Sequence, residues 1–293
     1  MTAVLQVGSL HAGYDKLVVL AGVDLEVARG EWLALLGPNA SGKTTLLHCI
    51  AGMLVPSAGS ISICGCTLRQ DALGAKRHLG FGCAPEQLPG LLTGRQCLEV
   101  YAAAKALSAV DADVLALAEA FAFTGMLDRF VGSYSLGTRQ KLAVLLTLLG
   151  EPALVVLDEA FNGLDPASAL VLKRHLRERV SAGRCGVLLA THALDVVERY
   201  SDRAVLLLDG RIARGWDREQ LAALRAMPGE GLEAALAAAC ARHHRASKRP
   251  RYRCSSGARP ERWASHMVSA NTSNMACSAA CGVPRRFESP RWI

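Results

Sequence analysis

The sequence predicts an α/β fold, with a parallel-sheet core, an antiparallel β part at the N-terminus and an inserted helical subdomain. Continuous apolar runs, typical of parallel strands buried on both faces, occupy residues 32–36, 153–157, 186–191 and 204–208. Helical periodicity is found at residues 137–149, 167–181 and 193–199. Because strands alternate with helices, we expect a parallel sheet covered by helices on both faces.

Two regions of the chain fall outside this alternation. Short strands, which alternate or cluster between turn signals, are predicted for the antiparallel part at residues 4–7, 23–27 and 60–64. Residues 98–106 and 111–123 are rich in alanine and leucine and are helical in pattern, with no strand between them. The helical insertion is therefore predicted at about residues 88–140.

The composition is that of a soluble protein with a sizeable core. Of its 293 residues, 51% are hydrophobic. No apolar run approaches the roughly 18 residues of a membrane-spanning helix, and no secretory signal is recognisable. The chain has ten cysteines, and those before residue 242 show no disulfide or metal-site spacing, which indicates reduced thiols. These features predict a cytoplasmic protein.

The positive charge of the chain is concentrated at its C-terminus. Residues 242–293 hold 11 Lys and Arg against 2 Asp and Glu, whereas the remaining residues carry a net charge of −2. After a short helical extension at residues 227–241, this segment lacks periodicity and is predicted to be a basic, disordered tail. Contact with a nucleic-acid backbone, contact with anionic lipid, and a shifted-frame extension without function all remain open interpretations of it.

A glycine-rich loop lies between the apolar run 32–36 and a helix predicted at 45–51. It matches the pattern Gly-x-x-x-x-Gly-Lys-[Ser/Thr], with candidate nucleotide-binding residues Gly37, Pro38, Asn39, Ala40, Ser41, Gly42, Lys43, Thr44 and Thr45. In this setting, backbone N–H groups and the helix start bind phosphate. Lys43 would reach the β- and γ-phosphates, and Thr44 would coordinate Mg²⁺. An ordinary glycine-rich turn is the alternative, but the flanking strand and helix favour nucleotide binding.

Two carboxylates, Asp158 and Glu159, end the apolar run 153–157. Asp158 fits a Mg²⁺ ligand at a strand end, and Glu159 is positioned to polarise an attacking water as general base. A surface acidic pair is the alternative. The phosphate loop upstream and the segment 162–165 just downstream favour the catalytic interpretation.

Further segments resemble the nucleotide-binding subunit of an ATP-binding cassette (ABC) transporter. The run Tyr-Ser-Leu-Gly-Thr-Arg-Gln at residues 134–140 resembles the family's signature segment, and its candidate nucleotide-binding residues are Ser135, Leu136, Gly137 and Thr138. Residues 162–165 resemble the loop after the catalytic strand, and Asp165 belongs to it. His192 corresponds to the family's switch histidine. The resemblance implies a P-loop NTPase core and an ABC ATPase domain over residues 3–226, with ATP and Mg²⁺ as cofactors.

Two more site assignments follow from the resemblance. Tyr14 stands where the family places an aromatic residue against adenine, although packing is the alternative role for such a residue. Glu86 aligns with the family's glutamine, and Gln87 follows it. Either side chain can coordinate Mg²⁺ through oxygen, so both are candidates, with Glu86 the assigned ligand.

The resemblance also implies a mechanism, in which two cassettes pair head to tail, close over ATP and separate after hydrolysis. Backbone N–H groups of residues 135–137 would bind the γ-phosphate held by the opposite subunit. His192 would contact the γ-phosphate and the partner's loop carrying Asp165. The signature departs from the family pattern by Leu136 in place of a glycine and by Thr138 at its last polar position, which predicts slightly altered closure.

The expected partners are membrane-spanning transporter subunits, docked on the helical insertion, and a second copy of the chain or a paralogous cassette. The signature and the Pro-Glu loop resemble bacterial exporter cassettes, which is an analogy and not a mechanism. The expected location is peripheral, on the cytoplasmic face of the plasma membrane. The alternative is a soluble ABC-type ATPase acting on ribosomes or nucleic acid, but no tandem cassette or long coiled coil is visible, and nucleic acid is not expected as a partner.

Overall fold

The computed structural model describes residues 2–15, 17–82, 84–226 and 231–247. The strands in these ranges are β1 (Ala3–Tyr14), β2 (Leu17–Ala28), β3 (Trp32–Leu36), β4 (Ala58–Ile63), β5 (Cys66–Thr67), β6 (Leu79–Phe81), β7 (Leu154–Asp158), β8 (Gly186–Ala190), β9 (Arg203–Leu208) and β10 (Arg211–Trp216). The α-helices are α1 (Lys43–Ile50), α2 (Ala72–Arg77), α3 (Gly94–Ala104), α4 (Ala112–Ala120), α5 (Leu136–Leu148), α6 (Pro166–Ser181), α7 (Leu194–Tyr200), α8 (Arg218–Ala226) and α9 (Leu232–Ser247). Among the helices of these ranges, none combines the length and apolar character needed to cross a bilayer.

Two sheets organise the fold. The first is antiparallel, in the order β2-β1-β4-β5, and the second has the order β10-β9-β3-β8-β7-β6 and is parallel except for β10. The predicted α/β fold, with a P-loop NTPase parallel-sheet core and an N-terminal antiparallel part, is confirmed. Apolar side chains of β1, β2 and β4 pack against β3 and α1 in one continuous core cluster, which fixes α1 behind the loop that precedes it.

Helices fill the chain between β6 and β7, as the inserted subdomain predicts. The first of them, α3, begins with a capping box in which Thr93 and Gln96 each bond the other's backbone N–H. At its end, Lys105 Nζ donates to the carbonyl oxygens of Leu79 (3.3 Å) and Leu149 (2.7 Å), and burial lowers the Lys105 pKa. These bonds join the insertion to the core.

The helix α5 runs through the boundary predicted at residue 140. Its first turn is exposed or half-buried, whereas residues 142–148 are buried, most of them in the cluster that includes β7 and β8. One element therefore reaches from the insertion into the core beneath the sheet.

The N-terminal hairpin is longer than predicted, because β1 and β2 extend well beyond residues 4–7 and 23–27. The register between the two strands shifts between Val7 and Leu10 and again between Ala12 and Gly13. Each shift interrupts the alternation of buried and exposed side chains from which strands are recognised. The edge strand β10 is absent from the sequence prediction because most of its side chains are exposed, so it shows little alternation of apolar and polar residues.

The C-terminal helix α9 begins inside the predicted extension and continues past residue 241 to Ser247. Its residues Leu232 and Ala239 are buried against Leu206 of β9 and Leu221 of α8. Apolar packing thus holds this helix on the domain. Residues 227–230 of the extension, and the predicted tail from residue 248 onward, lie outside the described residues.

Candidate nucleotide site

The phosphate loop between β3 and α1 wraps around the side chain of Lys43. Its ammonium donates hydrogen bonds to the carbonyl oxygens of Gly37 (2.7 Å) and Pro38 (3.1 Å). Burial lowers the Lys43 pKa, while the charges of Glu159 and Asp158 raise it. A Cβ at position 37 would lie 2.5 Å from the Leu207 carbonyl oxygen, so only glycine fits there.

A hydrogen bond joins the first turn of α1 to the end of β7. Thr44 Oγ1 donates to Asp158 Oδ2 at 2.8 Å. This pair offers a hydroxyl and a carboxylate oxygen, which are the ligand types of Mg²⁺. Within the described residues no group of three or more His, Cys, Asp or Glu side chains could hold a metal ion. The donor set therefore fits Mg²⁺ that takes its other ligands from phosphate and water, and does not fit an all-protein metal cage.

The next residue, Glu159, has a positive φ of 47°, which is uncommon outside glycine. Its Oε2 accepts hydrogen bonds from Asn162 Nδ2 (3.3 Å) and Thr191 Oγ1 (3.4 Å). Its Oε1 is buried and has no hydrogen-bond partner among the described residues. One carboxylate oxygen is thus held in place, and the other is left with its acceptor capacity unused.

His192, just beyond the end of β8, lies close to both the Lys43 ammonium and the Glu159 carboxylate. Its Nε2 is 3.4 Å from Lys43 Nζ and 3.6 Å from Glu159 Oε1, and half of its side chain is exposed. The structure therefore brings together five residues from three separate segments of the chain: Lys43, Thr44, Asp158, Glu159 and His192.

An open cavity of about 600 Å³ adjoins this cluster. Its lining includes Thr44, Asp158, Glu159, Asn162, Glu86, Gln87, Leu136 and Gly163. Glu86 and Gln87 belong to a single 3₁₀ turn, Pro85–Gln87, which directly precedes the insertion. Both residues proposed for the position of the family's glutamine thus line the same cavity as the Thr44–Asp158 pair.

Tyr14 is not among the residues that line this cavity. It lies about half exposed at the tip of the hairpin between β1 and β2.

The predicted signature segment forms the start of α5. Ser135 is the N-cap, and its Oγ accepts the Thr138 N–H at 3.2 Å and lies 2.8 Å from Thr138 Oγ1. Leu136, in place of the family's glycine, is an exposed first-turn residue and leaves the helix intact. Because the first amides of a helix have no intrahelical acceptor, the N–H groups of Leu136 and Gly137 are oriented for an external anion.

The start of α5 also touches the loop that carries Asp165. A Cβ at Gly137 would lie 2.6 Å from the Gly163 carbonyl oxygen, so the two segments are in close backbone contact. Lys141 Nζ lies 2.8 Å from Asp165 Oδ2, and Asp165 caps α6 by accepting the Ser168 N–H at 2.9 Å. The bonds from Lys141 and Ser168 hold the Asp165 pKa well below its usual value.

Sequence reasoning did not assign a role to the side chains that orient Glu159 and the Asp165 loop. Asn162 and Thr191 donate hydrogen bonds to Glu159. Lys141 forms an ion pair with Asp165. Gln140 Nε2 donates to the Ala160 carbonyl oxygen at 2.9 Å. All four lie in or next to the recognised motifs. The motifs indicate that these residues lie near the site, but only the fold shows which atoms their side chains contact.

Comparison with known proteins identifies the family. A family model described as "ABC transporter" matches residues 20–162. An uncharacterized ABC transporter ATP-binding protein of Bacillus subtilis is 36% identical over 207 residues, which are 68% of this chain and 66% of that protein. Nod factor export ATP-binding protein I of Burkholderia thailandensis is 36% identical over 208 residues, 70% of this chain and 68% of that protein. The chain belongs to the ABC transporter family.

Solved structures agree with this assignment of an ABC cassette. An ATP-binding subunit of an ABC transporter is 32% identical, with a TM-score of 0.74, and the match covers 81% of this chain and 99% of that chain. A dimeric ATP-binding cassette in a post-hydrolysis state, bound to ADP and Pi, is 22% identical with a TM-score of 0.66 over 73% and 98% of the two chains, and shares the fold. The predicted family is confirmed, and cassettes of this family are ATPases. The names of these relatives do not favour a soluble ATPase acting on ribosomes or nucleic acid.

The close approach of Gly137 to Gly163 predicts that Gly137→Ala destabilises the protein. The new Cβ would meet backbone atoms, which cannot move as a flexible side chain does, so we expect a loss of about 1–3 kcal/mol in the free energy of unfolding. Gly125→Ala is the control, because a Cβ there has nothing within 4 Å. Urea denaturation measures both. A Gly137→Ala variant as stable as the original chain would show that the contact is absent.

The lowered pKa of Asp165 predicts a pH-dependent contribution to stability. A carboxyl group whose pKa is depressed by folding stabilises the protein above its unfolded pKa, and this contribution is lost as the pH falls through the folded pKa. Asp165→Asn keeps a capping side chain but removes the charge. We therefore expect the unfolding free energies of the two proteins to differ most above about pH 4 and to converge at lower pH. A difference independent of pH between about pH 2 and 7 would contradict the role of the charge.

Proposed function

We propose that this chain is the ATP-binding and ATP-hydrolysing subunit of an ABC transporter, and that the transporter is an exporter. The observation that carries the proposal is the convergence of three groups at one edge of the sheet. They are the Lys43 ammonium, the Thr44–Asp158 pair and the Glu159 carboxylate, of which one oxygen is hydrogen-bonded and the other has no hydrogen-bond partner among the described residues. These are the parts that phosphoryl transfer to water needs: a phosphate cradle, a metal ligand pair and a base.

The residues divide the work of hydrolysis among them. Backbone N–H groups of the loop and Lys43 would bind the phosphates of ATP. Thr44 and Asp158 would hold Mg²⁺, which would supply positive charge to offset the charge that develops on the phosphate oxygens. Glu159 Oε1, buried and without a partner among the described residues, would accept the proton of the attacking water. Asn162 and Thr191 hold the other carboxylate oxygen and so orient the base.

The second half of the site would come from another copy of the chain or from a paralogous cassette. In this chain, the first amides of α5 have no acceptor within the helix. In a head-to-tail pair they would bind the γ-phosphate on the opposite subunit, with Asp165 and His192 near the contact. A dimeric cassette of the same fold supports this arrangement. ATP would close the pair, and hydrolysis would release it.

The membrane-spanning subunits would dock on the helical insertion beside the turn Pro85–Gln87. That surface borders the cavity that also reaches Asp158 and Glu159, so movement of the docked subunit and hydrolysis can be coupled. The name of the Burkholderia relative, a Nod factor export protein, supports export. The chain would then lie peripherally on the cytoplasmic face of the plasma membrane, and Tyr14 would stack on adenine.

Glu159→Gln tests the proposed general base. The amide keeps the size of the side chain but cannot accept the proton, so we expect the rate of ATP hydrolysis to fall by about 10²–10⁴-fold. The dissociation constant for ATP should stay unchanged, and an ATP-bound dimer should accumulate on size-exclusion chromatography.

The matched control is Glu219→Gln, which removes an acidic charge near the start of α8, among exposed residues. This variant should hydrolyse ATP at the original rate. If Glu159→Gln also hydrolyses ATP at that rate, Glu159 is not the base.

A further inference from the structure

A second cavity, of about 550 Å³, lies between α4 of the insertion and α6 of the core. It shares no lining residue with the nucleotide cavity. Its walls are partly apolar, through Leu117 on α4 and Val171 on α6. The charged groups that line it are Asp113, Arg174, Glu178, Arg179 and Arg184. Three guanidinium groups therefore face two carboxylates, and the lining has an excess of positive charge. We refer to this cavity as the α4–α6 groove.

Arg179 is the exceptional member of this lining. It is 5% exposed, and neither its Nε nor its Nη2 has a hydrogen-bond partner among the described residues. A buried cation with unpaired donors is costly unless an acceptor is provided. Burial raises the pKa of the nearby Cys185 thiol and outweighs the opposite effects of the Arg179 charge and of its hydrogen bond with the thiol, so Cys185 offers Arg179 a neutral sulfur and no anion. The Nε and Nη2 donors of Arg179 thus lack, among the described residues, the acceptor that their burial requires.

The other charged groups leave this requirement unmet. The Asp113 carboxylate lies 3.8 Å from Arg184 Nη1, and both side chains are about half exposed. Arg174 and Glu178 are exposed residues of α6 on the same groove. His175 also lines it, and burial together with the charge of Arg179 lowers the His175 pKa.

We propose that the α4–α6 groove is a binding site for a small phosphate monoester, whose oxygens accept hydrogen bonds from Arg179 at the base of the groove and from Arg174 and Arg184 at its mouth. Guanidinium forks match phosphate oxygens, and a phosphate anion offsets the single excess positive charge of the lining. The groove is within the size range of small-molecule sites, and it exceeds the size of a bare phosphate. The apolar wall of Leu117 and Val171 would contact the organic part of the ligand.

This site stands apart from the proposed ATP hydrolysis. Arg184 precedes the amino end of β8, whereas the nucleotide residues follow the carboxyl ends of the strands. Because α4 belongs to the insertion and α6 to the core, a bound ligand would contact both. The ligand would therefore stabilise one arrangement of the two, whatever the chain's activity.

The test is calorimetric titration of the full chain with phenyl phosphate, followed by inorganic phosphate. The phosphate loop is first filled with Mg²⁺ and a non-hydrolysable ATP analogue, so that heat reports other sites. We expect saturable binding of phenyl phosphate, tighter than that of inorganic phosphate. Arg174→Gln and Arg184→Gln should each weaken it by about tenfold, the equivalent of one charge-assisted hydrogen bond. Arg179→Met should abolish it.

Arg199→Gln is the matched control, because Arg199 is an exposed arginine of α7 outside the groove, and it should leave binding unchanged. If Arg179→Met does not fold, the two exposed variants decide the question. The proposal is overturned if phenyl phosphate does not bind at millimolar concentration, if the groove variants bind as well as the original chain, or if Arg199→Gln weakens binding equally. Inorganic phosphate that binds as tightly as phenyl phosphate would refute the monoester assignment.

Discussion

The arrangement of the nucleotide site depends on the parallel register of β3, β8 and β7. Leu35 pairs with Ala190, and Ala190 pairs with Asp158, so the three strands end at the same level of the sheet. Beyond each end, the chain turns into a loop that carries functional side chains. Lys43, Glu159 and His192 therefore meet within hydrogen-bonding range or close to it, although they are far apart in sequence. A slip of register by one residue would separate them.

In this cluster, the carboxylates of Asp158 and Glu159 oppose the effect of burial on the charge of Lys43. The Lys43 ammonium is satisfied by two carbonyl oxygens of its own loop and is close to the carboxylates of Asp158 and Glu159. Burial alone disfavours its charge, and the carboxylates favour it. This ammonium is also the group that we expect to bind the phosphates of ATP. The α4–α6 groove differs in that its buried Arg179 has donors without such acceptors among the described residues.

Much of this account could be predicted from sequence because the informative patterns are local. The loop ending in Lys43 and the pair after β7 are short, contiguous motifs whose flanks specify strand and helix. The hairpin extends beyond its predicted strands because bulges break the alternation of its side chains. The helix α9 extends beyond its predicted end because an Ala-rich helix carries a weak end signal. The approach of Gly137 to Gly163 and the isolation of the Arg179 donors depend on tertiary packing, which no local pattern encodes.

The central claim is that one chain supplies the phosphate loop and base, while another supplies the signature segment. The most direct measurement mixes two variants, Glu159→Gln and Ser135→Arg, before ATP is added and follows ATP hydrolysis. Each variant alone lacks one half of both sites and is expected to be inactive. In a mixed pair, one site combines an intact Glu159 with an intact Ser135, so the account predicts that mixing restores hydrolysis. A mixture as inactive as its components, under conditions in which mixed pairs form, would contradict it.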